Sequence, residues 1–448
     1  MNRQQNIFFR KPATNPYRIF ILLILVLGGI WLVRQLETGG IQRPFTPTPT
    51  PTRAAQSFTL EGDAQFAAGK LDAAITAYQE ASRVDPTNAE VLAKLARIQA
   101  YSSALLTTDD QQRDRLQEAL ASITQAVELA PDDSLTHAIN AFVLDWNANT
   151  ILFGEEQAAD YLLQAEQAAV RAIQLDNQNT LALAFYAEIL VDEQKWNQAE
   201  QYIQQALEQD DTLMDVHRVY AYVLESFGQY NQAIQEYDKA LAISPNLTFL
   251  YLRAGANYRR LAFDSPNEDT RTMLYENSLE YFAKAARLNE QLGIEDPVPY
   301  LSIARTYSQN GEFFIAARNV QRALEIDPSN ADIYGQLGIV YFKSRNYEGS
   351  IPALKCAIRG CTAEESCDGR GGCGPNDEPA DVVGLELSAN TVVYYYTYGS
   401  VLAALSRPQE NFCDEAIAVL SEVKAAFSSD RDIMGIVQAG EAICASLE

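Results

Sequence analysis

The sequence predicts an all-α fold, an α-solenoid of stacked helix-turn-helix repeats preceded by one transmembrane helix. Three observations carry this expectation. Small residues recur with a step of 34, as in Ala187, Ala221 and Gly255, in Ala199 and Ala233, and in Ala206 and Ala240. Within a unit these positions lie 12 and 7 apart, with a larger apolar residue between the last two, as in Ala233, Tyr237 and Ala240. That is the spacing of two close-packed helices, each with an apolar stripe at i, i+3 and i+4. Near the N-terminus, Ile19 to Val33 forms an uninterrupted apolar run, IFILLILVLGGIWLV, behind Arg3, Arg10, Lys11 and Arg18 and no acidic residue.

Residues 1–18 read as a basic tail and 19–33 as a signal anchor. The run is shorter than the roughly 20 residues that cross a bilayer, but Arg18 and Arg34 can extend their charges outward, and Tyr17 and Trp31 suit the interface. A cleaved signal peptide would share this front half. The following RQLETGG lacks an A-x-A site, which favours a retained anchor. Four Lys/Arg before the run face Arg34, Arg43 and Arg53 after it, a balance that leans towards an inside N-terminus. An even six cysteines, four of them clustered, suit an oxidising compartment. The expected location is the cell membrane, single-pass, with the bulk of the chain extracytoplasmic. Residues 34–56, which include RPFTPTPTPTR, cannot pack a core and form a spacer reaching up to roughly 70 Å at about 3.1 Å per residue.

The chain of 448 residues exceeds what one core supports, and a repeat array from 57 to 446 resolves that excess. Helix breakers fall at unit ends, at Pro86, Pro131, Pro245 and Pro328. The segment Tyr334, Leu337, Gly338, Tyr341, Tyr347, Leu354, Ala357 resembles the tetratricopeptide repeat family. So does Tyr300, Ala304, Tyr307, Gly311, Phe313, Ala316, Val320, Ala323, Pro328. About nine units start near residues 55, 89, 134, 180, 214, 248, 297, 331 and 392. In the second, third and sixth units the diagnostic interval grows from 12 to 23, 24 and 23, so both helices of those hairpins are expected to lengthen. A Cys-rich insertion occupies 356–390, and 430–446 reads as a capping helix.

Chemistry-bearing patterns are absent. Only His137 and His217 are present, and each falls in an alanine-rich amphipathic segment where packing explains it. GDAQFAAGK at Gly62 to Lys70 outlines a phosphate-binding loop, but six residues separate its glycines where four are needed. The cluster Cys356, Cys361, Cys367 and Cys373 lacks any C-x-x-C step and has no nearby histidine, which disfavours zinc and favours disulfides in one of three pairings. Cys413 opens the second helix of the ninth unit and Cys444 ends the antiparallel helix after it, so those two are expected to bond. No enzyme activity and no cofactor is expected. The balance of 59 acidic against 34 basic residues, a net charge of −25, argues against nucleic acid.

The resemblance implies that partners bind along the concave face formed by first helices. Its lining positions place Arg218, Tyr222, Arg253, Arg259, Arg260, Arg305 and Lys343 there, a concentration of positive charge in an acidic chain. The family's carboxylate clamp is not reproduced. Arg218 holds its first basic position, but Tyr222 replaces the Asn, and Val298 and Ser302 replace the second basic pair. The leading expectation is a membrane-tethered scaffold that binds a protein, as an extended and acidic peptide or as a helix, and no nucleic acid. The alternative is a receptor for an anionic, non-protein envelope ligand in the same groove.

Overall fold

A computed structural model describes residues 15–37, 53–374 and 377–447. The basic tail before residue 15 and most of the Thr/Pro spacer, 38–52, lie outside the described residues. The chain divides into two units, residues 1–53 and 54–448. The first holds α1 (Pro16–Glu37), a single apolar helix with no acidic residue in its first turn and Arg34 in its last. By length and composition it can cross a membrane, and a signal sequence would pass the same test.

The second unit is entirely helical apart from isolated bridges. Its hairpins are α2 (Ala55–Ala67) with α3 (Leu71–Val84), and α4 (Ala89–Ser103) with α5 (Asp109–Leu129). Next come α6 (Ser134–Asn147), the single turn α7 (Thr150–Phe153) and α8 (Glu155–Leu175), then α9 (Thr180–Asp192) with α10 (Trp196–Gln209). They continue as α11 (Met214–Ser226) with α12 (Tyr230–Ile243), and α13 (Thr248–Asp264) with α14 (Glu268–Leu292). The last are α15 (Val298–Gln309) with α16 (Phe313–Ile326), and α17 (Ala331–Lys343) with α18 (Tyr347–Arg359). After the short α19 (Ala363–Gly369), α20 (Val392–Leu405) pairs with α21 (Cys413–Ala426), and α22 (Arg431–Ala445) closes the stack.

The repeat is built from small-on-large contacts. A Cβ on Gly62 would stand 2.6 Å from the Tyr78 ring, and one on Gly255 2.6 Å from Phe282, so the first helix of each hairpin approaches the second only where its side chain is missing or small. First helices begin on short polar caps. Asn88, Asp133 and Asn179 accept from the backbone N–H of Val91, Thr136 and Ala182, each worth about 1 kcal/mol. The tight hairpin turns need a left-handed residue. Glycine supplies it at Gly228 (φ 70°) and Gly311 (φ 83°), whereas Gln194 (φ 61°) and Arg345 (φ 64°) adopt it against their Cβ, at about 1 kcal/mol each.

The long hairpins grow mainly through their second helices, with the first helix lengthened as well in the sixth unit, where α13 has 17 residues against 13 in α11. The second helices α5, α8 and α14 have 21, 21 and 25 residues against 14 in α10, while α4 and α6 have 15 and 14. The extra sequence therefore does not lengthen both helices equally. In the third unit Asn149 caps the isolated turn α7 through the N–H groups of Ile151 and Leu152, and Gly154 at φ 80° ends it, so the ascending helix stops early.

The array curves until its parts meet. The Asn246 side chain donates to the Ala67 carbonyl at 3.0 Å, and the Tyr101 and Phe249 rings stack at 5.0 Å. Arg97 and the Tyr101 hydroxyl both donate to Asp215, 118 and 114 residues away. Further along, Asn330 donates to Thr107 at 2.5 Å, and Asn390 to Asp109 at 2.7 Å. The tip of the second hairpin thus braces the eighth and ninth units across the inside of the curve.

All six cysteines are bonded, Cys356 to Cys361, Cys367 to Cys373 and Cys413 to Cys444. The Cys-rich segment packs onto α17. Buried Arg370 donates to the Tyr334 hydroxyl at 2.9 Å and to the Glu378 carbonyl at 3.0 Å. His217 is likewise structural, held between the Glu236 carboxylate at 2.7 Å and the Asp211 carbonyl at 2.8 Å.

Candidate functional site

The arginines of the inner face separate into braces and free cations. Arg218 is 7% exposed, forks onto Glu188 at 2.7 and 2.6 Å, and lies 5.4 and 5.5 Å from the centres of the Tyr101 and Phe142 rings. It holds α9 and α11 against the first turn of the superhelix. Arg253 is partly exposed but committed, donating to Glu225 at 2.5 Å and to the Tyr237 hydroxyl at 3.2 Å. Tyr222 donates to Asp192 at 2.5 Å. Lys343 is exposed at the end of α17.

Arg259, Arg260 and Arg305 converge instead. With Ala256, Phe263 and Gln309 they line a cavity of about 310 Å³ between α13 and α15. Arg260 is bound to Asp264 within its own helix at 3.0 Å. Arg259 spans the gap, its Nη1 donating to the Ser302 carbonyl at 3.3 Å, with Phe282 beneath it at 5.3 Å. Burial first, and then the neighbouring Arg305, push the Arg259 guanidinium down to about 10. Among the described residues neither Arg259 nor Arg305 forms an ion pair, so two like charges share one pocket without a carboxylate. An anion placed between them would relieve that repulsion, and two guanidinium groups offer the forked donors that phosphate and carboxylate oxygens accept.

A second cavity, of about 670 Å³, opens among α6, α9, α11 and α13 and carries the opposite sign. Asp145, Glu188 and Asp192 line it together with Trp146, Tyr222 and Phe249. Asp145 is 5% exposed, and its Oδ1 has no hydrogen-bond partner among the described residues. Desolvation, then the charges of Asp192 and Glu188, hold its carboxyl well above the usual range. Asp192 is exposed as a residue, but desolvation of its carboxyl, opposed by the Tyr222 hydroxyl and reinforced by Glu188, pushes it up to about 6. These carboxylates occupy the same inner-face positions of the third and fourth units that Tyr222, Arg259 and Arg260 occupy later. A survey of those positions for acids as well as bases would have found them. Among the described residues no group of His, Cys, Asp and Glu is arranged to hold a metal ion.

Models of the TPR repeat and the tetratricopeptide repeat match residues 62–101, 186–248 and 301–363. No curated protein matches the sequence. Among solved structures, the human IFIT1 dimer with PPP-AAAA is 16% identical with a TM-score of 0.53, over 89% of this chain and 92% of that one. The same human protein with m7Gppp-AAAA is 15% identical with a TM-score of 0.52, over 92% and 93%. TTC0263, a thermophilic TPR protein of Thermus thermophilus, is 22% identical with a TM-score of 0.38, over 46% of this chain and 98% of that one.

The expected partner is corrected by these findings. A chain sharing this fold over most of its length is solved with a non-protein ligand, so the fold does not confine its members to protein partners, and the exclusion of nucleic acid falls with it. The physical reason lies in the pocket. A net charge repels phosphate only where no basic patch is segregated, and α13 and α15 segregate one. The chain is an all-α, helix-stacked solenoid of tetratricopeptide-type repeats.

Proposed function

We propose that the solenoid is a receptor for an anionic, non-protein ligand, with Arg259 and Arg305 gripping its phosphate or carboxylate groups. Arg260 would supply a third guanidinium at the rim and Phe263 a flat contact beside it. Arg218, Tyr222, Arg253 and Lys343 would shape the rest of the inner face. The observation that carries this reading is the pair of crowded guanidinium groups with no carboxylate between them. The resemblance in fold to a protein solved with PPP-AAAA supports the ligand class.

Titration of the full-length chain with inorganic tripolyphosphate tests it. Saturable binding that weakens with salt is expected, and Arg259→Ala with Arg305→Ala should weaken it at least about 30-fold, the equivalent of about 2 kcal/mol. An unchanged Kd in the double variant, at low and at physiological salt, would remove the pocket from the account.

The receptor is tethered to the membrane by α1 and faces the extracytoplasmic side. The apolar run behind four basic residues and three disulfides suited to an oxidising compartment support this placement. An alkaline phosphatase fusion after Arg53 is expected to be active; an inactive fusion, with an active cytoplasmic reporter at the same point, contradicts it.

A further inference from the structure

The carboxylate-lined cavity serves no step of anion capture, and its charges do not cancel. Of its groups, Glu188 is neutralised by the fork from Arg218, and Arg253 by Glu225. Asp145 and Asp192 remain, and neither forms an ion pair among the described residues. Tyr222 gives Asp192 one hydrogen bond and the adjoining Asp145 and Asp192 carboxyls interact with each other, but no donor from the rest of the protein reaches the buried Asp145 Oδ1 among the described residues. A buried carboxylate oxygen with no donor is costly, and natural chains retain such a group where something else supplies the donor.

What would supply it is constrained by the wall. The missing partner must bring N–H donors and positive charge. The absence of a metal-holding cluster among the described residues argues against a bare ion. The volume of about 670 Å³ and the rings of Trp146, Phe249, Tyr222 and Tyr237 fit a small organic molecule with a carbon chain. The Trp146 indole donates to Glu188 at 3.2 Å, which fixes its ring as one wall. We infer that this cavity binds a small organic cation with N–H donors, a primary ammonium or guanidinium group lodged between Asp145 and Asp192 with its carbon chain against Trp146. The site is separate from the arginine pocket and does not depend on the ligand bound there.

Calorimetric titration of the full-length chain with putrescine, with tetramethylammonium as a cation lacking N–H donors, tests the inference. One saturable site is expected for putrescine, at least about tenfold tighter than for tetramethylammonium, because only the former can satisfy Asp145 Oδ1. Asp145→Asn should weaken putrescine by a further tenfold or so. Asp192→Asn alters an exposed residue and should weaken binding by several-fold. Arg259→Ala with Arg305→Ala should leave it unchanged, which separates this site from the anion receptor. Equal affinities for the two cations, an unchanged Kd in Asp192→Asn, or no saturable heat would each overturn the inference and leave a proton shared by the two carboxyls as the occupant.

Discussion

Arg218→Ala is expected to lower the unfolding free energy by about 3 to 5 kcal/mol, the largest single-residue effect in the molecule. The side chains of Arg218 and Glu188 are 8% and 6% exposed, so removing the guanidinium strands Glu188 in a wall that already holds Asp145 and Asp192. It also removes the cation packed between the Tyr101 and Phe142 rings, where the first turn of the superhelix meets the fifth unit. Urea denaturation followed by far-UV circular dichroism measures the loss. Arg218→Met with Glu188→Leu should recover most of it, since the penalty belongs to the uncompensated charge. A loss below about 1 kcal/mol in the single variant would mean that the pair is solvated and the turn is held by its aromatic contacts alone.

Breaking the Cys413–Cys444 bond has the second largest expected effect. The bond closes a loop with a sequence separation of 31, and freeing it returns about 3 to 4 kcal/mol of chain entropy to the unfolded ensemble. It ties α21 to α22. In a repeat array such a loss stays local. Cys413→Ser with Cys444→Ser is therefore expected to expose the amides of α20, α21 and α22 to hydrogen exchange while those of α9 to α12 keep their protection. Protection lost uniformly along the array would show that the solenoid unfolds as one cooperative block.

The helical hairpins were legible because local spacing dictates them. Ala233, Tyr237 and Ala240 on one helix must meet the small residues of its neighbour, and the step of 34 carries that contact down the chain. The closing of the curve was not legible. Arg97 and Tyr101 reach Asp215 only after several units of accumulated twist, and no periodic signal records the sum. For that reason Arg218, which by position belongs to a binding groove, is a buried brace. The arginines beyond that contact, Arg259 and Arg305, face a cavity that no acidic residue lines, although Arg305 also borders a neighbouring cavity with Asp109 and Asp332. The sequence places a concentration of positive charge on the inner face. The structure divides it into an acidic cavity against α6 and α9 and a basic one between α13 and α15. The pairing of Cys356 with Cys361 and Cys367 with Cys373 likewise depends on where α19 folds, which spacing alone left open among three arrangements.

The central claim is that an anion sits between Arg259 and Arg305. Crystals of the full-length chain soaked with tungstate, a tetrahedral oxyanion with strong anomalous scattering, locate it directly. The account predicts an anomalous peak within hydrogen-bonding reach of both guanidinium groups, lost in Arg259→Ala with Arg305→Ala. Peaks elsewhere on the solenoid with none in this pocket would contradict it.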